Sequence, residues 1–229
     1  MTNFDEIWEK EIYGQGKHLN KYPFDNVVSF VFRNYPRDKK REEVKILEIG
    51  CGAGNNLWFA AREGFQVFGI DGSSSAIDFC KKRFYEDNLR GDFRVGDFTD
   101  LSFYESNFFD IVIDRGSIVC CDLNAGRKAV SEIHRVLVKS GKFFFNPYSQ
   151  FHTSCIQSTI AENGYSTNIQ AGTLVGVGNL CFYSYTDILK ALPEQYWKII
   201  SIKHKEIREI TGNLNTHAEW EIIAEKRKD

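Results

Sequence analysis

The sequence predicts an α/β chain: a doubly wound, seven-stranded sheet that ends in an antiparallel terminal hairpin. Three observations carry that prediction. Apolar, strand-like runs close on an acidic residue at Glu48, Asp71, Asp97 and Asp114, and they alternate with helical patterns through residues 44–149. Gly50, Gly52 and Gly54 follow the first run, as in a tight strand-to-helix turn where a ligand approaches without meeting a Cβ. Trp197 to Arg208 and His217 to Lys226 alternate apolar and polar residues on either side of a turn at 211–215.

The elements follow in order. Phe4, Ile7, Trp8 and Ile12 recur near helical spacing, and Pro23 opens a second helix carrying Val27, Val28, Phe30, Val31 and Phe32. Between them Tyr13 to Tyr22 is polar, glycine-punctuated and rich in hydroxyl and imidazole groups, and reads as a lid. Residues 1–43 are therefore expected to cap a main domain over 44–229. Ile46 to Ile49 is the first strand, and Asn55 to Glu63 a short helix stopped by Gly64. Strands two to four end at Asp71, Phe98 and Asp114; Glu132 to Lys142 followed by Phe143 to Phe145 supplies a helix, a turn and the fifth strand of the parallel part. Residues 151–163 read as a helix, and 164–181, with glycines at 164, 172, 176 and 178, as a mobile or hairpin-like insertion. The segment 151–185 is thus set apart as an insertion, followed by a helix at 186–192 capped by Thr186 or Ser184.

Composition narrows the function classes. With 229 residues, 42% hydrophobic and 26% charged, the chain suits one α/β domain with additions. A net charge of −2 and a pI near 6.2 leave no basic footprint for a phosphate backbone, so no nucleic-acid partner is expected. The six cysteines at 51, 80, 120, 121, 155 and 181 form no Cys-x-x-Cys pair, which points to reduced thiols and no metal. The first residues lack the apolar core of a signal peptide, and no run approaches the roughly 20 apolar residues of a membrane span. A cytoplasmic monomer or homodimer without membrane contact is the expectation.

Which ligand the glycine turn takes depends on its neighbours. Asn55 stands where a dinucleotide turn has its third glycine, and Glu48 aims a negative charge into the turn. A pyrophosphate is repelled there, whereas a sulfonium and an amino group are attracted. Asp71 lies 21 residues after Gly50, the distance at which one strand-helix-strand step delivers a carboxylate to a ribose. This set, continued in register to Gly141, resembles the class I S-adenosylmethionine-dependent methyltransferases of the small-molecule type.

The resemblance implies a Rossmann-like sheet, S-adenosyl-L-methionine as cofactor and an acceptor pocket built by the insertion at 151–185. It places Glu48 on the methionine end, Gly50, Cys51 and Gly52 along the turn, and Asp71 with Gly72 at the ribose. Asp97 would accept from the adenine amino group, Phe98 would flank the ring, and Asp114 and Arg115 would lie where donor and acceptor meet. Methyl transfer from a sulfonium is an in-line displacement of an activated group, so alignment and exclusion of water are the main demands. A hydroxyl acceptor must also lose a proton, for which His152 is the first candidate base and His18 the second. His134 reads as structural, and His204 and His217 as inert residues of the far hairpin.

Tyr13, Tyr22 and Tyr148 are candidate acceptor-binding groups. Arg115 either binds an anionic group of acceptor or cofactor, or braces its loop with Asp114 neutralising it. Asn146-Pro147-Tyr148 lies one strand too late to be the signature of enzymes that methylate exocyclic amines on bases. The expected reaction is methylation of a small polar acceptor, oxygen favoured, such as a sugar, a sugar nucleotide or a related metabolite. The alternatives are a small-molecule N-methyltransferase, a nicotinamide-dependent oxidoreductase and a non-catalytic S-adenosylmethionine-binding module.

Overall fold

Continuous apolar runs suit strands covered on both faces, and in the computed structural model, which describes residues 5–227, they form the centre of a mixed sheet. The chain enters through a π-helical turn at Trp8–Ile12 and a 3-10 turn at Tyr13–Gln15, where one continuous helix was expected. Phe4, assigned to that helix, lies outside the described residues. Helix α1 (Asp25–Asn34) follows Pro23 as anticipated. Then come β1 (Lys45–Ile49), α2 (Asn55–Arg62), β2 (Gln66–Asp71), α3 (Ser74–Glu86), β3 (Asp92–Val95), β4 (Phe109–Asp114), α4 (Leu123–Val136) and β5 (Leu137–Phe145).

The two longer of these helices start on side-chain caps. Ser73 accepts from the Ala76 N–H at the start of α3, and Asp122 accepts from the N–H groups of Asn124 and Ala125 at the start of α4. No separate turn stands between α4 and β5, because the strand starts at Leu137, directly after the helix. Ser140 takes φ 63°, and the pairing with β4 shifts register between Phe109 and Ile111.

Residues 151–163 do not form one helix. His152 caps the single turn α5 (Thr153–Ile156), after which β6 (Thr159–Ile160), β7 (Tyr165–Thr167) and β8 (Leu180–Cys181) make a small antiparallel sheet. Gly164, at φ 89°, permits the bend between β6 and β7. Helix α6 (Tyr185–Ala191) is capped by Ser184 and not Thr186, in a box with Asp187. Strands β9 (Trp197–Arg208) and β10 (Thr216–Lys226) form the terminal hairpin.

The main sheet runs β3-β2-β1-β4-β5-β10-β9. Its first five strands are parallel, and β10 is antiparallel to both of its neighbours. Period-two alternation sorts its side chains into two cores. Leu47, Ile49, Val112, Phe143 and Phe145 pack on one face with Val130 and Ile133 of α4 and Ile188 of α6. Ile46, Ile111, Ile113 and Phe144 pack on the other with α1, α2 and α3. The strand order reverses between β1 and β4, and a crevice opens there at the carboxyl ends of the strands.

Candidate functional site

At this reversal lies a cavity of about 320 Å³. Its floor is the turn between β1 and α2. Glu48 points to the same face as Ile46 and is 2% exposed. Its Oε1 accepts 2.7 Å from Asn56 Nδ2, while Oε2 is buried with no partner among the described residues. Burial lifts the Glu48 carboxyl to about 8, with the Asn56 hydrogen bond opposing and the charges of Asp114 and Asp71 adding to the rise. Gly50 and Gly52 take φ 58° and 51°. A Cβ on Gly50 would collide with Ser117 Oγ, and one on Gly52 with the Tyr13 hydroxyl, so both turns admit only glycine at this spacing.

Asp71 closes the next side. Its Oδ2 accepts 2.8 Å from the Gly52 N–H and its Oδ1 2.9 Å from the Ser73 N–H, which ties the glycine turn to the start of α3. Gly72, Asp97 and Phe98 continue that wall, and Cys51 lines the cavity beside the glycines with its thiol pushed well up by burial. Arg115, Gly116 and Ser117 after β4, and Tyr148 after β5, form the opposite wall. The cover comes from the N-terminal segment: Asp5, Trp8, Tyr13, His18 and Asn20 all face the cavity.

Several expected residues stand elsewhere. Asp114 does not line the cavity; its Oδ1 accepts from the N–H groups of Ser117 and Ile118, so it shapes the turn beneath Arg115. Burial raises it to about 6, against those two hydrogen bonds. It does not neutralise Arg115 by direct contact: the partner there is Glu219, with Nη2 3.8 Å from Oε2. Tyr22 is 69% exposed and outside the lining; its backbone carbonyl, not its ring, is used, accepting 3.0 Å from Asn55 Nδ2.

His152, the first candidate base, is fully buried and faces no part of the cavity. Its Nδ1 accepts from the Ser154 N–H, while Nε2 meets His217 Nδ1 at 3.3 Å and Thr173 Oγ1 at 3.2 Å. Burial, then His217, lower it to about 4. His217 is no remote hairpin residue, because its Nε2 lies 3.4 Å from Glu219 and its ring stands edge-on to Tyr148. The segment 151–185, expected to build the acceptor pocket, supplies none of the described lining residues.

Sequence reasoning overlooked Glu9. Its carboxylate accepts from the Ser73 and Ser75 hydroxyls at 2.5 and 2.6 Å and from the Ser75 N–H, clamping the N-terminal turn to the start of α3. Asn56 was overlooked too; besides holding Glu48, its Oδ1 accepts from the Phe24 N–H. Polar residues on a helix facing a glycine turn were the available signal for Asn56, and none existed for Glu9.

Comparison with known proteins agrees with this geometry. Residues 46–141 match the profile of the methyltransferase domain family. Over those residues the chain carries a methyltransferase domain.

Among curated relatives of the methyltransferase domain, a Geobacillus sp. (strain WCH70) protein whose name marks it as a methyltransferase is 27% identical over 63% of this chain and 58% of its own. The tRNA N(3)-methylcytidine methyltransferase trm140 of Schizosaccharomyces pombe is 25% identical over 72% of this chain and 57% of its own. The chain thus spans less than three fifths of the length of both. The ubiquinone biosynthesis O-methyltransferase of Rickettsia akari is 24% identical over 97% of this chain and 84% of its own. A SAM-dependent methyltransferase structure from Methanosarcina mazei shares the fold, with a TM-score of 0.68 at 19% identity over 91% of this chain and all of that one.

The residues present fit the cofactor. Glu48 Oε2 is a buried acceptor without a donor among the described residues, the glycine turn leaves room only for backbone, and Glu48, Asp71 and Asp97 would present acids to a cationic ligand. Among the described residues no helix is long and apolar enough to cross a membrane, and no group of three acids, histidines and cysteines could hold a metal ion.

Proposed function

We propose that the chain transfers a methyl group from S-adenosylmethionine to a small polar acceptor, with oxygen favoured over nitrogen. The observation that carries this reading is the buried, unpartnered Oε2 of Glu48 at the mouth of the glycine turn. When bound, the cofactor supplies an activated methyl group on a sulfonium. Glu48 would take the cationic methionine end, Asp71 and Gly72 the ribose, and Asp97 and Phe98 the adenine. Tyr13 and Trp8 would close the site against water, with residues 1–43 acting as its cap.

Small size is favoured because the cavity is roofed by Trp8, Tyr13 and His18 and holds about 320 Å³. Oxygen is favoured because His18 faces the same cavity, where it can take the proton a hydroxyl must lose. The yeast relative acts on tRNA by name, but this chain has a net charge of −2 and one Lys or Arg among the described lining residues. A polyanion finds little there to bind. Sugars and related hydroxyl metabolites are the acceptors to try.

Calorimetry with S-adenosylhomocysteine and with NAD, followed by transfer from labelled cofactor to panels of hydroxyl and amine compounds, tests the proposal. Binding of the first and labelling of hydroxyl compounds is expected. Uptake of NAD alone, or labelling confined to amines, overturns it in whole or in its oxygen preference.

A further inference from the structure

Arg115 is the one Lys or Arg among the described lining residues, facing a cavity that also presents Asp5, Glu48, Asp71 and Asp97. Its guanidinium carries five donors but has few partners. The carboxylate of Glu219 stands 3.8 Å from Nη2, beyond hydrogen-bond reach, and Nε is buried with no partner. One flat face is covered by Phe24, whose ring centre lies 4.2 Å from Cζ, so the remaining donors are confined to the edge of the fork. Tyr148, on the same wall, is buried beside it and its hydroxyl takes a hydrogen bond from the guanidinium, which leaves the other donors of the fork free.

Position separates this group from the cofactor's acids. Asp71 ends β2 and Asp97 follows β3, whereas Arg115 follows β4, on the other side of β1. A ligand spanning Glu48, Asp71 and Asp97 leaves Arg115 facing the part of the cavity between Tyr148 and Phe24. A lone cation there, held in place by Glu219 and Phe24, is a carboxylate receptor in form, since the planar fork matches the two oxygens of that group. Four acids lining the same cavity oppose any ligand carrying more than one negative charge.

We infer that Arg115 anchors the methyl acceptor through a single carboxylate, so that the substrate class is small hydroxy acids. This rests on the methyltransferase reading. Glu219 acts as a positioning residue, drawing Nη2 to one side; burial pushes its carboxyl up, but the His217 hydrogen bond and the Arg115 charge outweigh that and keep it ionised.

The test uses the intact protein saturated with S-adenosylhomocysteine and two matched probe pairs: 3,4-dihydroxybenzoate with its amide, and 2-hydroxyisobutyrate with its amide. Ligand-observed NMR reads binding, and transfer from labelled cofactor reads turnover. In at least one pair the acid is expected to bind about 10- to 100-fold more tightly than its amide. Arg115→Gln should erase that difference, Arg115→Lys should restore part of it, and both should keep the affinity for S-adenosylhomocysteine.

Equal binding of acid and amide, or no binding of either acid, overturns the inference and leaves the methyltransferase reading standing. A tenfold loss of S-adenosylhomocysteine affinity in Arg115→Gln overturns it in favour of a cofactor role. Failure of the unaltered protein to bind S-adenosylhomocysteine removes both readings together.

Discussion

Asn56 Nδ2 donates to Glu48 Oε1 over 2.7 Å, and this one contact leaves the second carboxylate oxygen of Glu48 sealed from solvent without a donor. Because the folded carboxyl sits near 8 against an ordinary 4.5, the folded state holds a proton that the unfolded chain releases. The stability that Glu48 contributes without cofactor should therefore be full below pH 4.5 and be lost as pH rises toward 8, by about 5 kcal/mol at most. Glu48→Gln should flatten that decline in chemical denaturation while reducing S-adenosylhomocysteine affinity at least tenfold. Cofactor binding, which prefers the carboxylate, should release a proton at pH 7, measurable by calorimetry in buffers of different ionisation enthalpy. An unchanged affinity in the variant would remove Glu48 from the site.

Gly52 should tolerate no side chain. Its φ of 51° and the Tyr13 hydroxyl at the Cβ position mean that Gly52→Ala costs about 1 to 3 kcal/mol and forces Tyr13 aside. Gly52→Val should abolish cofactor binding in calorimetry with the fold retained by circular dichroism. Pairing Gly52→Ala with Tyr13→Phe should recover part of the lost stability; no recovery would mean that the hydroxyl is not the obstacle.

The two histidines should separate cleanly. His18→Ala should lower turnover of a hydroxyl acceptor by about 10²- to 10⁴-fold with little change in melting temperature. His152→Ala should cost about 1 to 3 kcal/mol of stability and leave cofactor affinity intact, since its ring caps α5 and touches no part of the cavity. With its folded value near 4, below the ordinary 6.5, His152 also makes the protein lose stability as pH falls from 6.5 toward 4. Denaturant titrations of wild type and variant across that range measure it.

Glu9 should govern the cover. Hydrogen bonds from Ser73 and Ser75 hold its carboxyl below the ordinary 4.5, so the clamp is intact above that value and opens as pH falls through the lowered one. Glu9→Ala should speed amide exchange in residues 8–15 and accelerate cofactor release, with a stability loss of about 0.5 to 2 kcal/mol. Equal exchange in both proteins would show that the clamp does not hold the segment.

The parallel strands, the glycine turn and the acids at the strand ends were legible because each is a local pattern. A run such as Phe143-Phe144-Phe145 needs no distant partner to be read as a strand covered on two faces. What escaped notice depends on contacts between remote stretches. Glu9 meets Ser73 across 64 residues, and Glu219 reaches Arg115 from the last strand, neither of which leaves a spacing to detect. His152 follows the correct strand, but position along the chain does not fix depth, and its cap to Ser154 turns the ring inward. Tyr22 was misplaced for the opposite reason: an aromatic in a polar loop looks like a binding group, yet its ring lies outside the cavity beneath Lys21 and its carbonyl holds Asn55.

Strand β10 follows β9 in the chain, yet it is not at the rim of the sheet but threaded between β5 and β9. Until Thr216–Lys226 leaves the ribosome, the β5 backbone has an unsatisfied flank, so the nascent chain must wait with a sticky margin exposed. Deleting that stretch would not trim an edge but split the sheet in two, stranding β9 and withdrawing Glu219 from Arg115 in the same stroke.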